Sequence, residues 1–398
     1  MGKSNNFNRY KKITYQFVNL LTMNIAYLAR FDPRDKKVWS GTANHIYVKL
    51  KENHRIEIIG PELISQLGLY HKDNFRADVF VPVDRYINKL SKLLSERINN
   101  LGCDLVFNGD IFFIPSDINV PFVLHSDMTY EQVKIHYPKP IDNRNIEPCI
   151  NLERILLNNA FRIIYSSEWT KQKAIEVYGI NPNKIHVVEF GANIPTPQNY
   201  SIDINTDICR LVFIGADWER KCGDKVLQIY QILKDEGFPC TLTIIGSEPE
   251  DEPEEEEDDL TIIPKLDKAR PEDLRRLCDI IAESHFLVLP TRFDAFGIVF
   301  CEASAFAVPS IAADVGGVSQ AVKEGKNGYL LPAEATAADY AEKIKDVFSD
   351  KENYIKLRRS SRIEFETRLN WDVWGEKVNR IFEEAVEEWG KMETKKSL

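Results

Sequence analysis

Short apolar runs alternate with longer amphipathic stretches along most of the chain, and this alternation restricts the folds that the chain can adopt. Strand-like runs in the first half cover residues 24–29, 55–59, 103–107, 120–124 and 162–165. Strand-like runs in the second half cover residues 209–215, 241–246, 260–263, 286–289 and 309–313. Repeated strand–helix–strand units build parallel sheets that helices cover on both faces. A chain of 398 residues is too long for one ordinary core, so we predict two doubly wound α/β domains.

A polar segment with two prolines, residues 195–201, marks the linker between these domains. We therefore place an N-terminal domain at residues 1–200 and a C-terminal domain at residues 201–370. A last helical segment, residues 371–398, follows, and we expect its Trp371 and Trp374 to be packing residues.

Composition excludes several classes of protein. No run of eighteen uncharged apolar residues is present, so we expect no transmembrane helix. Seven cysteines without a CxxC pair predict neither a disulfide framework nor a zinc site, and they favour a reducing, cytoplasmic compartment. A net charge of −10 argues against nucleic acid as the main partner.

Charge is distributed unevenly along the chain. The first fifty residues hold nine Lys and Arg against two Asp, and they could face an anionic membrane or an acidic acceptor. A solvated basic face is the alternative. The acidic run at residues 248–259 lacks the residue order of a calcium-binding loop, so we predict a solvated loop there.

The stretch from residue 287 to residue 327 carries the principal candidate for a ligand site. A buried strand leads into a loop with Asp294, then into a helix that starts near Gly297 and carries Glu302. The start of a helix offers unpaired N–H groups and the positive end of its dipole, which suit a phosphate. A glycine between two carboxylates at such a place indicates a ligand site.

Three further groups follow predicted strands, where parallel sheets bind ligands. Gly41 and Thr42 open a helix after the first strand, although an ordinary helix cap explains them too. His125 and Asp127 end another strand and could point into a cleft together; a histidine bonded only to backbone is the alternative.

Arg220 and Lys221 come just before a helix, in the loop after the strand that ends in Gly215. Two adjacent cations there could clamp a diphosphate and stabilise it as a leaving group. A solvated surface pair is the alternative interpretation.

Several motifs of the second half resemble the retaining glycosyltransferases of family 4, the glycosyl transferases group 1, which have the GT-B fold. The motifs are FIGADWERKCG at 213–223, PTRFDAFGIVFCEA at 290–303, DVGG at 314–317, and Asn327-Gly328. The resemblance covers residues 205–335 strongly. It covers residues 24–200 weakly, through Ser40-Gly41-Thr42, His125 and residues 190–193.

The resemblance implies two Rossmann-like domains that face a cleft, with the last helix packed back on the first domain. It also implies residue roles. Glu302 would bind the nucleotide ribose, and Asp294 would face the donor sugar. Backbone at Gly297, Ile298 and Val299 would bind the diphosphate and sugar, with Gly215 at the strand end. Arg220 and Lys221 would neutralise the diphosphate, His125 would touch the sugar, and Gly41 and Thr42 would line the donor phosphate and acceptor side.

This chain departs from the family pattern at several of these positions. Asp294 is one methylene shorter than the usual Glu. Ala216 stands where the family often has Arg after the strand glycine, so Arg220 or Arg292 could replace that cation. Gly223 lies one residue later than in the usual Lys-Gly pair.

The function that the resemblance implies is transfer of a sugar, with retention, from a UDP- or GDP-sugar to the hydroxyl of a glycan, lipid or small molecule. From the resemblance we expect same-face displacement, in which the leaving phosphate helps to deprotonate the acceptor hydroxyl. We expect no metal, and no cofactor besides the donor substrate. A nucleotide-sugar-binding regulatory or assembly subunit without transfer activity is the alternative, which Ala216 and Asp294 favour. A GT-B epimerase or phosphorylase is a third hypothesis. A phosphorylase would need a pyridoxal-phosphate lysine, of which the sequence shows no sign.

Overall fold

The computed structural model describes residues 22–66, 84–109, 115–136, 143–197, 200–248, 259–263 and 265–396. The basic start of the chain, up to residue 21, lies outside these ranges, as does most of the acidic run, residues 249–258.

Six parallel strands form the sheet of the first domain within the described residues. The strands are β1 (Asn24–Leu28), β2 (Arg55–Ile59), β3 (Leu105–Asn108), β4 (Phe122–Ser126), β5 (Arg162–Tyr165) and β6 (Ile185–Val187). The helices are α1 (Thr42–Asn53), α2 (Pro61–Gln66), α3 (Asp84–Leu101), α4 (Tyr130–His136), α5 (Asn143–Asn159) and α6 (Glu168–Tyr178). The strand order is β2-β1-β3-β4-β5-β6, a doubly wound arrangement.

A second sheet of six parallel strands forms the core of the second domain. The strands are β7 (Cys209–Ile214), β8 (Cys240–Ile245), β9 (Leu260–Ile263), β10 (Phe286–Leu289), β11 (Ser310–Ala313) and β12 (Gly328–Leu331). The helices are α7 (Trp218–Lys221), α8 (Gly223–Asp235), α9 (Pro271–Glu283), α10 (Ile298–Ala305), α11 (Val318–Ala321), α12 (Ala337–Ser349) and α13 (Lys351–Thr367). The order is β12-β11-β10-β7-β8-β9, so the predicted pair of doubly wound sheets is confirmed.

Burial explains why the strands are uninterrupted apolar runs. All four residues of β10 are fully buried, as are all four of β11. Helices cover both faces of a parallel sheet, so its central strands have no solvent-facing side for polar residues. No helix among the described residues is long and apolar enough to cross a membrane.

The last helix, α14 (Trp371–Lys396), packs against the first domain. Trp371 begins it, and its indole N–H donates to the carbonyl oxygen of Ala192 at 3.0 Å. Further along, the buried side chains of His54 and Asn379 lie 2.9 Å apart, Nε2 to Oδ1. Met23 donates its backbone N–H to Nδ1 of His54, so the ring carries its proton on Nε2 and donates to Asn379. Through these contacts, α14 packs against the residue that precedes β1.

The loop after β10 rests on the turn after β11. The backbone N–H of Gly317 donates to the carbonyl oxygen of Asp294 at 2.9 Å. A Cβ at Gly317 would collide with the carbonyl oxygen of Ala295, and one at Gly316 would collide with that of Asp294. Gly316 also has φ +56°, which favours glycine. The two glycines therefore let the loop that carries Asp294 lie directly on the turn.

We expect Gly317→Ala to lower the free energy of unfolding of the second domain by about 1–3 kcal/mol, because the added methyl group forces the Asp294 loop outward. Gly390→Ala is the matched control, since a Cβ there meets nothing within 4 Å inside α14. That control should raise stability by about 0.5–1 kcal/mol. Urea unfolding followed by circular dichroism measures both, and equal effects of the two substitutions would contradict the close approach.

Candidate functional site

A cleft of about 400 Å³ lies between the two domains, at the carboxyl ends of their strands. Its first-domain wall comes from the loop after β1 and the end of β4, and its second-domain wall from the loops after β7, β9 and β10. The lining residues with a predicted role are Thr42, Gly215, Arg220, Lys221, Asp294, Gly297, Ile298, Val299 and Glu302. Most of the predicted site thus converges on this one cleft.

A buried ion pair joins the loops after β7 and β10. Lys221 donates from Nζ to Oδ2 of Asp294, and only 8% and 9% of these two residues are exposed. Arg220 approaches Asp294 Oδ1 at 3.5 Å and donates to the carbonyl oxygen of Phe293 at 3.0 Å. Burial lowers the pKa of Lys221 below its ordinary value. One carboxylate thus holds two cations in place at the cleft wall.

Glu302 lies deeper, on the second turn of α10, with 1% of the residue exposed. Lys268, in the loop after β9, donates from Nζ to Oε1 of Glu302. A buried carboxylate needs such a partner because burial without one is costly. Lys268 was not among the predicted residues, and its position 34 residues before Glu302 in the sequence gave no signal of the contact.

The start of α10 supplies backbone donors to the same wall. Gly297 caps the helix with φ +87°, and Ile298 and Val299 follow it in the first turn. Their N–H groups are among those that an α-helix leaves without an intrahelical partner. An anion in this part of the cleft would therefore meet both the helix start and the nearby cations.

The first-domain wall contains a backbone segment in the left-handed region. Trp39, Ser40 and Gly41 have φ values of 51°, 54° and 92° just before α1. Asn193 holds this segment, because its side-chain N–H groups donate to Ser40 O at 3.1 Å and to Thr42 Oγ1 at 2.9 Å. Trp39, Ser40 and Thr42 line the cleft, whereas Gly41 is buried behind them.

His125 does not line the cleft, contrary to the expectation that it touches the sugar. It is 1% exposed, and neither ring nitrogen has a hydrogen-bond partner among the described residues. Aromatic rings occupy the space around it; their centroids lie within 6.0 Å of the imidazole and belong to Trp39, Phe107, Phe190 and Trp374. Burial lowers the pKa of His125 to about 3, so the ring is neutral.

Arg292 also lies away from the cleft, which corrects its predicted place in the donor site. Its side chain is 61% exposed and its Nη1 donates to Glu219 at 2.9 Å on the outer surface. The backbone N–H of Arg292 donates to Arg220 O at 2.8 Å, which joins the two loops. Of the two cations that could replace the one absent at Ala216, Arg220 is therefore the one in the cleft.

Asp127 and Trp39 complete the first-domain wall. The Asp127 carboxylate accepts a hydrogen bond from the Trp39 side chain, and both residues line the cleft. The sequence placed Asp127 at a strand end beside His125 without assigning it a role, and Trp39 carried no motif. No group of three or more His, Cys, Asp or Glu side chains suited to a metal ion occurs in the described part of the chain.

A family of known proteins matches the second domain. Residues 201–363 match the family described as "Glycosyl transferases group 1", which confirms the resemblance for the second domain. A D-inositol 3-phosphate glycosyltransferase of Gordonia bronchialis is 27% identical over 237 residues, which cover 55% of this chain and 51% of that protein. The chain thus spans about half the length of that relative.

Solved structures match nearly the whole chain. A sucrose-phosphate synthase of Thermosynechococcus elongatus has a TM-score of 0.66 at 14% identity, covering 91% of this chain and 98% of that one. The HepE protein of Anabaena, solved with UDP-glucose, has a TM-score of 0.59 at 13% identity, covering 91% and 100%. Because the identities are this low, the matches establish the fold alone, which is GT-B.

The ion pair at the cleft wall leads to a stability prediction. Asp294→Ala should lower the free energy of unfolding of the second domain by about 3–5 kcal/mol, because Lys221 would stay buried without its counter-charge. Glu219→Ala removes the partner of Arg292 in an exposed pair. This substitution should change the free energy of unfolding by less than about 1 kcal/mol. Urea unfolding of both variants measures the difference; similar losses would mean that the Asp294 pair is no more important than a surface contact.

Proposed function

We propose that this chain, whose residues 201–363 match the glycosyl transferases group 1 family, transfers a sugar with retention from a nucleotide diphosphate sugar to an acceptor hydroxyl. The observation that carries the proposal is the convergence of Arg220, Lys221 and the start of α10 on the wall that also holds Glu302. Cations and backbone donors together suit a diphosphate, and a buried carboxylate beside them suits a ribose.

The transfer step requires positive groups that stabilise the negative charge of the leaving phosphate. As the bond between the sugar and the diphosphate breaks, negative charge grows on the leaving phosphate. Lys221 and Arg220 stabilise this charge from fixed positions, and the N–H groups at the start of α10 add to their effect. The proposed reaction therefore draws its positive charge from side chains rather than from a metal ion.

The nucleoside would bind beside Glu302. A carboxylate accepts hydrogen bonds from two neighbouring hydroxyls, as the ribose of a nucleotide offers. Lys268 offsets the charge of this buried carboxylate and fixes its orientation. Lys268 is thus a positioning residue for nucleotide binding.

Asp294 would have two partners in turn. Without donor it is the counter-ion of Lys221 and Arg220. When a diphosphate supplies the negative charge for these cations, the carboxylate is free to accept a hydroxyl of the donor sugar. The shorter side chain of Asp, compared with Glu, suits the first of these contacts.

Known proteins suggest the first compounds to try. HepE was solved in complex with UDP-glucose, and the Gordonia relative is named a D-inositol 3-phosphate glycosyltransferase. We propose UDP- and GDP-sugars as donors, and a sugar, lipid or small-molecule hydroxyl as the acceptor. Same-face displacement at the sugar carbon would keep its configuration.

A subunit that binds nucleotide sugars without transferring them is the second candidate. The observation that favours it is the neutralisation of Lys221 by Asp294 within the protein, which a donor must displace. Donor binding without release of nucleoside diphosphate, across glycan, lipid and inositol phosphate acceptors, would support this candidate and overturn the transferase proposal.

A thermal-shift screen tests donor binding. UDP, GDP, UDP-glucose and a panel of further UDP- and GDP-sugars are compared at equal concentrations. A nucleotide present at 100 times its Kd should stabilise the protein by about 2.7 kcal/mol, because it binds only the folded state. ADP, which carries the same diphosphate charge as UDP and GDP, serves as the comparison. Equal shifts with all these nucleotides, or no shift with any, would contradict a specific donor site.

Single substitutions test the assigned residues. Lys221→Ala should reduce the rate of nucleoside diphosphate release by about 10²–10³-fold, since it removes a charge that acts on the leaving group. Glu302→Ala should weaken nucleotide binding by roughly 10–100-fold through loss of charged hydrogen bonds. Lys345→Ala is the control, because Lys345 pairs with Glu236 away from the cleft lining. Parent-like rates and affinities in both site variants would refute the assignment.

A further inference from the structure

A partly exposed indole forms part of the first-domain wall of the cleft. Trp39 is 37% exposed, and among the large apolar residues that are exposed in the described ranges it is the one that lines the cleft. Its ring packs against Phe190 and His125, with centroids 5.4 Å and 6.0 Å away. The backbone of Trp39 is left-handed, with φ 51°, which is rare for a bulky residue and is found mainly at functional positions. The residue is therefore held in place while part of it stays open to a ligand.

A carboxylate lies beside this indole. Asp127 follows β4 and accepts a hydrogen bond from the Trp39 side chain, and both residues line the cleft. The Thr170 hydroxyl donates to the Asp127 carbonyl oxygen at 2.7 Å, which fixes the backbone at this point. A carboxylate has about four lone-pair positions, so Asp127 can accept a ligand hydroxyl in addition to its present donors.

The described part of this wall carries no positive charge. Its lining residues among those that the structure describes are Trp39, Ser40, Thr42, Asp127, Met128 and Phe190. The cations of the loop before Trp39 lie outside the lining: Arg34 pairs with Asp32 at 2.6 Å, and Lys36 and Lys37 do not reach the cleft. His125, behind the wall, is neutral because burial lowers its pKa to about 3.

An anionic group on this wall would meet like charge. Burial raises the pKa of Asp127 to about 6, the Asp294 charge adds to the rise, and hydrogen bonds from the backbone and from Trp39 oppose it. Asp127 is therefore mostly ionised at neutral pH and repels a phosphate. A hydroxyl donates to a carboxylate instead, and an aromatic ring covers the apolar C–H face that many sugar rings present.

We propose that Trp39 and Asp127 form the acceptor subsite, and that this subsite selects an uncharged sugar or cyclic polyol over a phosphorylated one. This inference rests on the transferase function proposed above. The C–H face of the acceptor ring packs on the indole of Trp39. One of the hydroxyls that do not react donates to the Asp127 carboxylate.

Neither residue takes the proton of the reacting hydroxyl. The oxygen of that hydroxyl forms a bond to the anomeric carbon of the donor sugar while the bond from that carbon to the phosphate oxygen breaks. The electron pair of the broken bond leaves with the nucleoside diphosphate, whose charge Lys221 and Arg220 stabilise, and the hydroxyl proton passes to the leaving phosphate. Trp39 and Asp127 therefore act on acceptor affinity and not on the bond change itself.

The experiment uses the full chain at neutral pH with the sugar nucleotide that gives the largest thermal shift, and measures nucleoside diphosphate release. Each uncharged acceptor is compared with its phosphate ester: glucose with glucose 6-phosphate, mannose with mannose 6-phosphate, and inositol with D-inositol 3-phosphate. Release with water alone is the baseline. In each pair that speeds release above this baseline, the uncharged compound should have a kcat/KM higher by roughly tenfold or more, because the ester meets the carboxylate.

Asp127→Asn tests the charge of the subsite, since asparagine keeps the size of the side chain. This substitution should reduce the preference for the uncharged partner by about 3–10-fold, because the phosphate ester is no longer repelled. At saturating acceptor, kcat should stay within about threefold of the parent's, because Asp127 does not take the proton. Asp224→Asn is the matched control: Asp224 accepts from the Trp218 indole at 2.8 Å outside the cleft lining, so the preference should not change.

Trp39→Ala tests the ring contact. It should raise the KM of the uncharged acceptor by about 3–10-fold through loss of the aromatic surface. Trp39→Phe keeps a ring and should stay closer to the parent. The thermal shift with the sugar nucleotide should match the parent's in each of these variants, because the substitutions lie on the acceptor side.

Each outcome decides the matter. A preference for uncharged acceptors that weakens in Asp127→Asn supports the proposal. Better transfer to the phosphate esters, no gain over water with any uncharged compound, an unchanged preference in Asp127→Asn, or a large loss of its kcat at saturation overturns it. Transfer to phosphate esters alone would leave the proposed function standing. If the parent neither binds nor cleaves any sugar nucleotide, the proposed function fails, and the acceptor subsite fails with it.

Discussion

The buried pair of Lys221 and Asp294 is the contact on which the cleft's second-domain wall depends. Its members come from loops after two neighbouring strands, β7 and β10, and they meet because parallel strands end at the same edge of a sheet. Ion pairs this deeply buried are specific, since either partner alone would be an uncompensated charge. Gly317 supports the same loop from below by its hydrogen bond to Asp294 O. The geometry of the cations thus depends on backbone packing as well as on charge.

The contact between the domains places the two walls opposite each other. Phe293, next to Asp294, stacks on His136 of the first domain at 5.1 Å and lies 5.6 Å from Trp169. Elsewhere, Gln320 donates to Glu189 at 2.8 Å across the same boundary. Because Phe293 O also accepts from Arg220, a movement of one domain relative to the other would act directly on a cation of the site. The fold therefore couples domain position to the diphosphate-binding wall.

Much of the fold and part of the site could be predicted from sequence. Strand β10, the start of α10 and the carboxylates Asp294 and Glu302 follow from local patterns, because chain neighbours share one loop and one helix. Lys268 and Trp39 could not be found this way, since their contacts join segments that are distant in sequence. His125 shows a different limit: a strand end near a cleft does not determine exposure when rings such as Trp39 and Phe190 fill the space.

The carboxylates that line the cleft have different hydrogen-bond partners on its two walls. Asp294 and Glu302 each accept a hydrogen bond from a lysine, which ties each carboxylate to one position. Asp127 accepts hydrogen bonds from the Trp39 side chain and from backbone N–H groups, and burial raises its pKa to about 6. Groups whose surroundings differ in this way suit different chemical roles. The cations that line the cleft and their counter-ions thus lie on the second-domain half, whereas Asp127 on the first-domain half is lined by neutral residues. The division follows the boundary between the two domains, so each domain contributes the chemistry that its own wall can support.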